Sequence, residues 1–272
     1  MSLSMVMPIG IYSAQTGMTQ AQKTFEKAAQ AIASGISARV NPADMYVASG
    51  LDSTIRSAHK AIENAQNGYN FVAQADSSLA SVTGNFNRIK ELSVQAANGI
   101  YTDSQRSAIQ AEINQNVEQI KQTFANSTFN GKQTLNIVTP ENPSISPTMD
   151  FMVSPDTSSS ISYDPNMTMD SLNFDVSTPE AARNTMGQVD KIIEDINSKR
   201  SEIGAVQAGF EGAINQQTNN ILSSSAALSS IQDTDYVSAI AELKQSQFSM
   251  ELMAKVMKTV MNSERYVLDL LQ

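Results

Sequence analysis

The chain has 272 residues, a net charge of −9, no cysteine, no tryptophan and a single histidine. This length allows two domains. The lack of cysteine and the single histidine exclude disulfides, thiol chemistry and a zinc site built from several His or Cys ligands of one chain. The acidic balance argues against a nucleic-acid partner, because phosphate is bound mainly by Lys and Arg. No apolar run approaches the roughly 20 residues that a membrane span needs, so no membrane insertion is expected.

The first predicted segment, residues 1–42, carries a long helix. Its apolar residues recur at three- and four-residue steps, with larger side chains at one seam position and alanine at the other. Alanine at a seam lets the backbone of a partner helix approach closely. The larger seam residues, which we expect to pack between subunits or helices, are Ile11, Met18, Phe25 and Ile32.

The second segment, residues 43–135, begins with another long helix. An apolar seam runs through it from Ile55 to Phe86. The dipeptide Asn98-Gly99 is expected to end this helix, because glycine adopts the left-handed conformation found at helix C-termini.

Two local signals define the rest of this segment. Thr102 is followed three residues later by Gln105, which predicts a capping box at the start of a further helix. The dipeptide Asn130-Gly131 is suited to a two-residue turn and predicts a tight β-hairpin. The order from residue 43 is therefore long helix, turn, shorter helix and hairpin.

The third segment, residues 136–178, differs in composition from the rest of the chain. It holds five of the eight prolines and six acidic residues, but no Lys or Arg. Short alternating pieces such as residues 150–153 favour strands, so we expect a small β-rich or irregular outer segment. Ser158, Ser159 and Ser160 are candidate sites for hydroxyl-linked glycans, with a bare polar loop as the simpler interpretation.

Two long helices complete the chain, in segments 179–235 and 236–272. Pro179 and Glu180 are typical of a first helical turn, and heptad spacing then continues for some fifty residues, which implies a rod. The last segment has its own apolar stripe. Its candidate packing residues are Ile240, Leu243, Met250, Met257, Met261, Leu268 and Leu271.

These elements together predict a mainly α fold. Long antiparallel helices from both chain ends form a coiled-coil-like rod, with a small β-hairpin and an irregular outer segment. The apolar stripes at the two ends cannot be covered within one isolated helix, so each end needs a partner.

No catalytic, cofactor-binding or metal site is expected. His59 lies between seam residues and is interpreted as a solvated side chain of a helix face. Asp233 and Asp235 lie near a helix start, where the helix dipole favours carboxylates. No phosphate-binding glycine loop or nucleophile elbow occurs. The sequence therefore predicts a protein without enzyme activity.

The amino-acid sequences of several segments resemble those of bacterial flagellin, the subunit of the flagellar filament. Residues 88–135 are similar to the conserved N-terminal core of that family, and further matches follow in the family's order on both sides. Each match is short, but the ordered set is specific and spans most of the chain. The further matches are Asn41-Pro42-Ala43-Asp44, Asn67-Gly68, residues 73–76, residues 200–207, residues 231–236 and residues 267–271.

This resemblance implies a structural protein that self-assembles into a helical homopolymer for motility. It implies export in an unfolded state by the flagellar type III system and a location in the extracellular bacterial flagellum. The lack of a signal segment would on its own indicate a cytoplasmic protein, and the resemblance reverses that expectation. The implied partners are copies of the chain, an export chaperone, the filament cap and hook-junction proteins.

One matched motif suggests a further partner. Residues 87–95 resemble the family motif that a flagellin-sensing Toll-like receptor of the host recognises. Arg88, Lys90 and Glu91, with Glu112 on the next helix, occupy its positions. The alternative interpretation is that these charges make contacts between subunits in the filament.

Departures from the family leave the kind of subunit open. Residues 259–265 stand where the family has a different motif, and residues 45–47 replace a usual acid. A major flagellin, a minor flagellin and a hook–filament junction protein all remain possible. An alternative of another class is a cytoplasmic signalling coiled coil, which also has long Ala-, Ser- and Gln-rich heptads. The acidic segment and the hairpin signal argue against it.

Overall fold

The structure, a computed structural model, describes residues 3–37, 41–140, 143, 145–155 and 159–269, without side chains for residues 3–10, 264 and 267–269. It confirms the mainly α class, because long helices account for most of the described residues. The helices are α1 (Leu3–Ser34), α2 (Pro42–Ala96), α3 (Asp103–Asn126), α4 (Pro179–Gln232) and α5 (Tyr236–Asp269).

The chain divides into two compact units. The terminal unit consists of residues Met1–Thr54 and Leu222–Gln272, and the central unit consists of Ile55–Ile221. Helices α2 and α4 contribute residues to both units. The division of the sequence into five segments stays a prediction.

The central unit is built around one apolar core that α2, α3 and α4 share. The seam predicted in α2 is buried here from Leu79 to Phe86, whereas Ile55, Ile62 and Tyr69 are half-buried. The apolar positions of α3 are buried, and so are most heptad positions of α4 up to Phe210. Burial of these rows stabilises the unit by about 25 cal/mol for each Å² of apolar surface removed from water. The fully buried large residues of the three helices are Leu79, Phe86, Ile89, Leu92, Ile113, Ile120, Ile196, Ile203 and Phe210.

The start of α3 confirms the predicted capping box. The backbone N–H of Gln105 donates to Thr102 Oγ1 at 3.4 Å, and the backbone N–H of Thr102 donates to Gln105 Oε1 at 2.9 Å. These bonds satisfy two backbone donors that the first helical turn leaves without partners.

The end of α2 falls where the sequence indicates, but the expected left-handed Gly99 is wrong. The left-handed glycines among the described residues are Gly35 and Gly131. Asn98 makes the turn instead: its Oδ1 accepts from the N–H of Ile100 at 3.2 Å, and its backbone oxygen accepts from the N–H of Tyr101 at 3.3 Å. An asparagine side chain thus replaces the glycine conformation as the helix stop.

The hairpin predicted at Asn130-Gly131 is confirmed. Strands β1 (Thr128–Phe129) and β2 (Lys132–Gln133) pair in antiparallel register around it. Asn130 has φ 51° and Gly131 has φ 75°. Positive φ at both central residues is what a type I′ hairpin turn requires, and Asn-Gly supplies it at the lowest steric cost.

The segment 136–178 forms short strands, as its alternation indicates. These are β3 (Asn136–Val138), β4 (Met149–Met152), β5 (Ser160–Tyr163) and β6 (Asn166–Thr168). Strand β3 pairs with β6 in parallel, and β4 pairs with β5 in antiparallel register. The segment also places buried side chains in the core that the helices share, so it has no separate core. Those side chains are Val153, Tyr163, Met167, Met169, Phe174 and Val176.

Gly68 of α2 lies directly against Phe210 of α4. A Cβ atom on Gly68 would lie 2.4 Å from Phe210 Cζ and 3.0 Å from Phe151 Cδ1. The Phe210 ring packs edge-on against Phe151 with centroids 5.4 Å apart. Gly68 is therefore required by packing, since its missing side chain is the space that the ring of Phe210 fills.

A buried network of hydroxyl groups ties the hairpin to β5. The hydroxyl of Tyr163 donates to the backbone oxygen of Thr134 at 2.9 Å. Thr134 Oγ1 donates to the backbone oxygen of Ser127 at 3.0 Å, and Ser127 Oγ donates to Ser78 Oγ at 2.8 Å. Burial raises the pKa of Tyr163, and the nearby carboxylates of Glu202 and Asp164 raise it further.

This environment predicts a pH dependence of stability. Because the pKa of Tyr163 is raised in the folded chain, its contribution is complete below the unfolded value of about 10 and is lost as the pH rises above it. Tyr163→Phe should cost about 0.5–1.5 kcal/mol at pH 7 through the lost hydrogen bond, and the deficit should shrink above pH 10. Urea unfolding of both proteins between pH 7 and pH 11 measures this.

The exposed Tyr12 provides the control, because Tyr12→Phe removes a hydroxyl that is in solvent. It should leave the urea midpoint at pH 7 unchanged. A constant difference between the unchanged chain and Tyr163→Phe across the whole pH range would contradict the assigned role of Tyr163.

Candidate assembly surface

Helices α1 and α5 pack against each other in the terminal unit, and we call them the terminal pair. They run antiparallel, because Gly17 in the first half of α1 faces Met253 in the second half of α5, while Ala31 lies beside Thr234 just before α5. A Cβ atom on Gly17 would lie 3.1 Å from Met253 Cε. The two helices thus come close enough for a methionine to pack on helix backbone.

Small residues occupy the contact line of the terminal pair. Among the side chains of α1 that the structure describes, the buried apolar ones are all alanines, and α5 contributes Ala239 and Ser246. The hydroxyl of Ser246 bonds within its own helix, donating to the backbone oxygen of Leu243 at 2.8 Å. Small side chains permit a short distance between helix axes, so large side chains stand beside the contact line. The buried alanines of α1 are Ala14, Ala21, Ala28 and Ala31.

The larger packing residues predicted from the sequence lie along the flanks of this line. Most are half-buried, namely Ile11, Met18, Phe25, Ile32, Leu243, Met250 and Met257. Ile240 and Met261 are 49% and 59% exposed. The side chain of Leu268 and the whole of Leu271 lie outside the described residues. The assignment of this set to packing between subunits stays a prediction.

Many exposed apolar side chains of the terminal unit are not among the packing residues predicted from the sequence. Val237 is 80% exposed, Tyr12 74% and Phe248 66%. They lie off the regular seam, so they are not part of the periodic apolar pattern. A soluble chain that acts alone seldom exposes so many large apolar groups in one unit. The others are Ile36, Met45, Tyr46, Val47, Leu222, Tyr236, Leu252, Val256 and Tyr266.

A compact set of hydrogen bonds joins the end of α1 to the start of α5. Gly35 has φ 71°, a left-handed conformation that ends α1 and turns the chain. Its backbone oxygen accepts from the N–H of Thr234 at 3.0 Å, and Thr234 Oγ1 donates to the backbone oxygen of Ala31 at 3.1 Å. The N–H of Ser37 donates to the backbone oxygen of Gln232 at 2.7 Å. These bonds fix the register of the terminal pair at one end.

The start of α5 itself is capped by Asp235. Its Oδ1 accepts from the backbone N–H of Val237 at 3.0 Å and of Ser238 at 3.1 Å. This agrees with the interpretation of the acids near residue 235 as helix-start carboxylates. His59 is exposed on α2, as expected.

A charged cluster lies on the surface of the central unit. Arg88 Nη2 donates to Glu112 Oε1 at 2.7 Å, and Arg88 Nη1 donates to Glu91 Oε2 at 3.1 Å. The hydrogen bond to Glu112 is the main cause that raises the pKa of Arg88. Lys90 pairs instead with Asp190 on α4, at 2.5 Å. The structure thus joins three of the four residues that match the receptor motif, and it directs Lys90 to another helix.

Two further matched motifs meet through an ion pair that the sequence did not reveal. Arg200 Nε donates to Asp76 Oδ1 at 2.7 Å. The two residues belong to α4 and α2 and are far apart in the chain, so neither motif indicates the other. Hydrogen bonding to Asp76 raises the pKa of Arg200.

The candidate glycan sites fall on a strand and the loop before it. Ser160 begins β5, and Ser159 precedes it; both are exposed. Ser158 lies outside the described residues. The glycans stay a prediction.

Two other kinds of site are absent from the described residues. The described residues contain no cluster of three or more His, Cys, Asp or Glu side chains placed to hold a metal ion. Among the described helices, none combines the length and the apolar character that crossing a bilayer demands.

Two regions of one protein family match this chain. The model of the bacterial flagellin N-terminal helical region matches residues 10–139, and that of the C-terminal helical region matches residues 186–271. The chain is 30% identical to the flagellar filament 33 kDa core protein of Treponema phagedenis and 28% identical to flagellin FlaB2 of Treponema pallidum (strain Nichols), each over 92% of both chains. A crystal structure of Bacillus cereus flagellin is 18% identical, with a TM-score of 0.49, over 57% of this chain and 88% of that one.

Proposed function

Since this chain belongs to the bacterial flagellin family and is a structural subunit of the flagellar filament, we propose that the terminal pair is the surface through which its copies join. The observation that supports this is the large apolar surface that the terminal unit exposes in a single chain. Burying it against neighbouring copies would supply the main free energy of polymerisation.

The form of the contact line supports the same proposal. The contact with α5 already buries the alanines of α1, while Phe25 and Met250 are only half-buried. A side chain that is half-buried in the single chain can gain further burial in a polymer. The two helices would therefore bind each other first and then present a continuous apolar face to a neighbour.

The same exposed side chains bear on the partners we propose. We propose that this chain polymerises with itself in the bacterial flagellum, an extracellular appendage that it would reach by export. An export chaperone would cover the apolar surface before assembly, and the filament cap and hook-junction proteins would cover it at the two ends of the polymer. Each of these partners would bind a surface that is exposed in the single chain.

The charged cluster at Arg88 supports two further proposals. Side chains of Arg88, Glu91 and Glu112 are 49%, 68% and 44% exposed, so they are accessible on a single chain. We propose that the cluster contacts a neighbouring subunit, and that a Toll-like receptor of the host would recognise the same surface. Charge reversal at Glu112 should then weaken both kinds of binding.

The position in the flagellum separates the closest alternatives. A major subunit should occur along the whole filament, a minor subunit in part of it, and a junction protein only beside the hook. Immunogold labelling of intact flagella distinguishes these three patterns. The cytoplasmic signalling coiled coil is excluded as the main function, because both flagellin regions match this chain.

The assembly role of the terminal pair is tested by Phe25→Ala. A half-buried phenylalanine that becomes fully buried in the polymer contributes about 1.5 kcal/mol, so the monomer concentration needed for polymerisation should rise about tenfold. Sedimentation of filaments from purified subunits measures that concentration.

The matched control is Phe129→Ala, which removes a half-buried phenylalanine from the hairpin of the central unit. It should polymerise close to the normal concentration. If Phe25→Ala polymerised normally while Phe129→Ala did not, the terminal pair would not be the joining surface.

A further inference from the structure

The chain contains three Asn-Gly dipeptides, at residues 67–68, 98–99 and 130–131, and the structure holds each in a different backbone environment. Asn-Gly is prone to deamidation, because the amide nitrogen of the glycine can attack Cγ of the asparagine without obstruction by a following side chain. The attack needs a glycine N–H that is free to lose its proton and a backbone that can bring this nitrogen to Cγ.

The first dipeptide is protected inside α2. The N–H of Gly68 belongs to the hydrogen-bond ladder of a helix that continues on both sides, and the glycine is buried under the ring of Phe210. Closing a ring at Asn67 would break the helix where α2 packs against Phe210 of α4.

The third dipeptide is held by the hairpin. Strand pairs on both sides fix Asn130 and Gly131 at positive φ. Moving the nitrogen of Gly131 to Cγ of Asn130 would open the paired strands. Within the described part of the chain, no hydrogen bond to the side chain of Asn130 is present to polarise its amide.

The second dipeptide differs from the other two in the N–H of its glycine and in the freedom of its backbone. Asn98 and Gly99 are exposed in the turn between α2 and α3, and no backbone hydrogen bond of the described residues uses the N–H of Gly99. The side-chain oxygen of Asn98 accepts from the N–H of Ile100 at 3.2 Å. When the nitrogen of Gly99 attacks, negative charge develops on that same oxygen. A backbone N–H already directed at it stabilises the charge, as a donor in an oxyanion hole does.

We propose that Asn98 is a site of spontaneous deamidation in the folded chain. The amide nitrogen of Gly99 gives its proton to water and bonds to Cγ of Asn98. The side-chain nitrogen then takes up a proton from water as its bond to Cγ breaks, and it leaves as ammonia. Water then opens the resulting succinimide at either carbonyl. The products are aspartate or isoaspartate at position 98, and no oxidant or reductant takes part.

The product changes the turn in two ways. It adds one negative charge to an exposed position, and isoaspartate also adds one carbon atom to the backbone path. The turn is held at its far side by the buried Arg106, whose Nη1 donates to the backbone oxygen of Tyr101 at 2.6 Å. The folded protein should therefore accumulate as charge variants that differ at the α2–α3 turn.

Tryptic peptides resolve the three sites. Asn98 lies in Glu91–Arg106, Asn130 in Gln122–Lys132 and Asn67 in Ala61–Arg88. The folded protein and a urea-unfolded sample are incubated at mildly alkaline pH, digested beside an unincubated sample, and scored by mass spectrometry for amide-to-acid conversion. In the folded protein Asn98 should convert at least about tenfold faster than Asn130, which corresponds to one hydrogen bond in the transition state.

In urea the three sites should react at similar rates. Gly99→Ala should slow conversion at Asn98 and leave folding unchanged, because a Cβ atom on Gly99 meets nothing within 4 Å and its φ is not positive. The proposal is overturned if folded Asn98 converts no faster than Asn130, or if it is protected in the folded state while the unfolded sample reacts.

Discussion

Replacing Phe210 with alanine is expected to lower the free energy of unfolding of the central unit by about 3–5 kcal/mol. The side chain is fully buried, fills the space left by the missing side chain of Gly68 and packs edge-on against Phe151. Its removal loses apolar burial and leaves a cavity between two long helices that cannot easily collapse. Urea unfolding followed by the near-ultraviolet signal of the buried Tyr163 reports on this unit.

Phe248→Ala is the matched control, because the same atoms are removed from a side chain that is 66% exposed. In the single chain it should change stability by no more than about 0.5 kcal/mol. If Phe210→Ala lowered the free energy of unfolding by less than about 1 kcal/mol, the packing of the Phe210 ring on Gly68 would not hold α2 and α4 together.

A double mutant sharpens this test. Gly68→Ala alone should destabilise by about 1–3 kcal/mol, since the new methyl group overlaps the Phe210 ring. In a Phe210→Ala background the ring is absent and Phe151, 3.0 Å from the new Cβ atom, has space to shift. The same change should then be neutral or stabilising by about 0.5–1 kcal/mol through helix propensity. Additive effects of the two changes would contradict direct contact between the two residues.

Ala28→Asp is expected to separate the terminal pair and abolish filaments. Ala28 is 1% exposed on the contact line with α5. A carboxylate there would lose its water without gaining a partner, a cost of several kcal/mol that a pair of surface helices cannot absorb. Without the contact, α1 and α5 would each expose their apolar stripes and lose helical order.

The control is Ala33→Asp, the same change on the same helix at an exposed position. Limited proteolysis of the single chain should cut both ends of Ala28→Asp faster, and those of Ala33→Asp at the normal rate. Electron microscopy should find no filaments for Ala28→Asp. If Ala28→Asp formed normal filaments, the terminal pair would not be part of the surface through which subunits assemble.

Features set by neighbouring residues were predictable from the sequence. The capping box of Thr102 and Gln105 and the hairpin turn of Asn130-Gly131 each depend on at most four residues, so the pattern determines the geometry. The sequence predicts the position of the helix end at Asn98-Gly99, but not which residue causes it. Both asparagine and glycine can stop a helix there, and the sequence does not say which residue makes the turn.

Features that depend on distant residues were not predictable. The α1 seam contains both alanines and large residues, and only the short distance to α5 decides that Ala28 is buried while Phe25 is half-buried. The fit of Gly68 to Phe210 and the pair of Asp76 with Arg200 join helices far apart in the chain. Periodicity along one helix carries no information about the side chain that will face it.

The bond between Thr234 and Ala31 spans 203 positions of the chain. Closing so long a loop costs more entropy than closing the hairpin, whose paired residues are at most five positions apart. When the chain appears with its N-terminal end first, α1 has no partner until α5, the last helix, has followed. The central unit can already fold during this time. On the proposed assembly through the terminal pair, the order of folding sets the time of polymerisation, because this surface does not exist until α5 has reached α1.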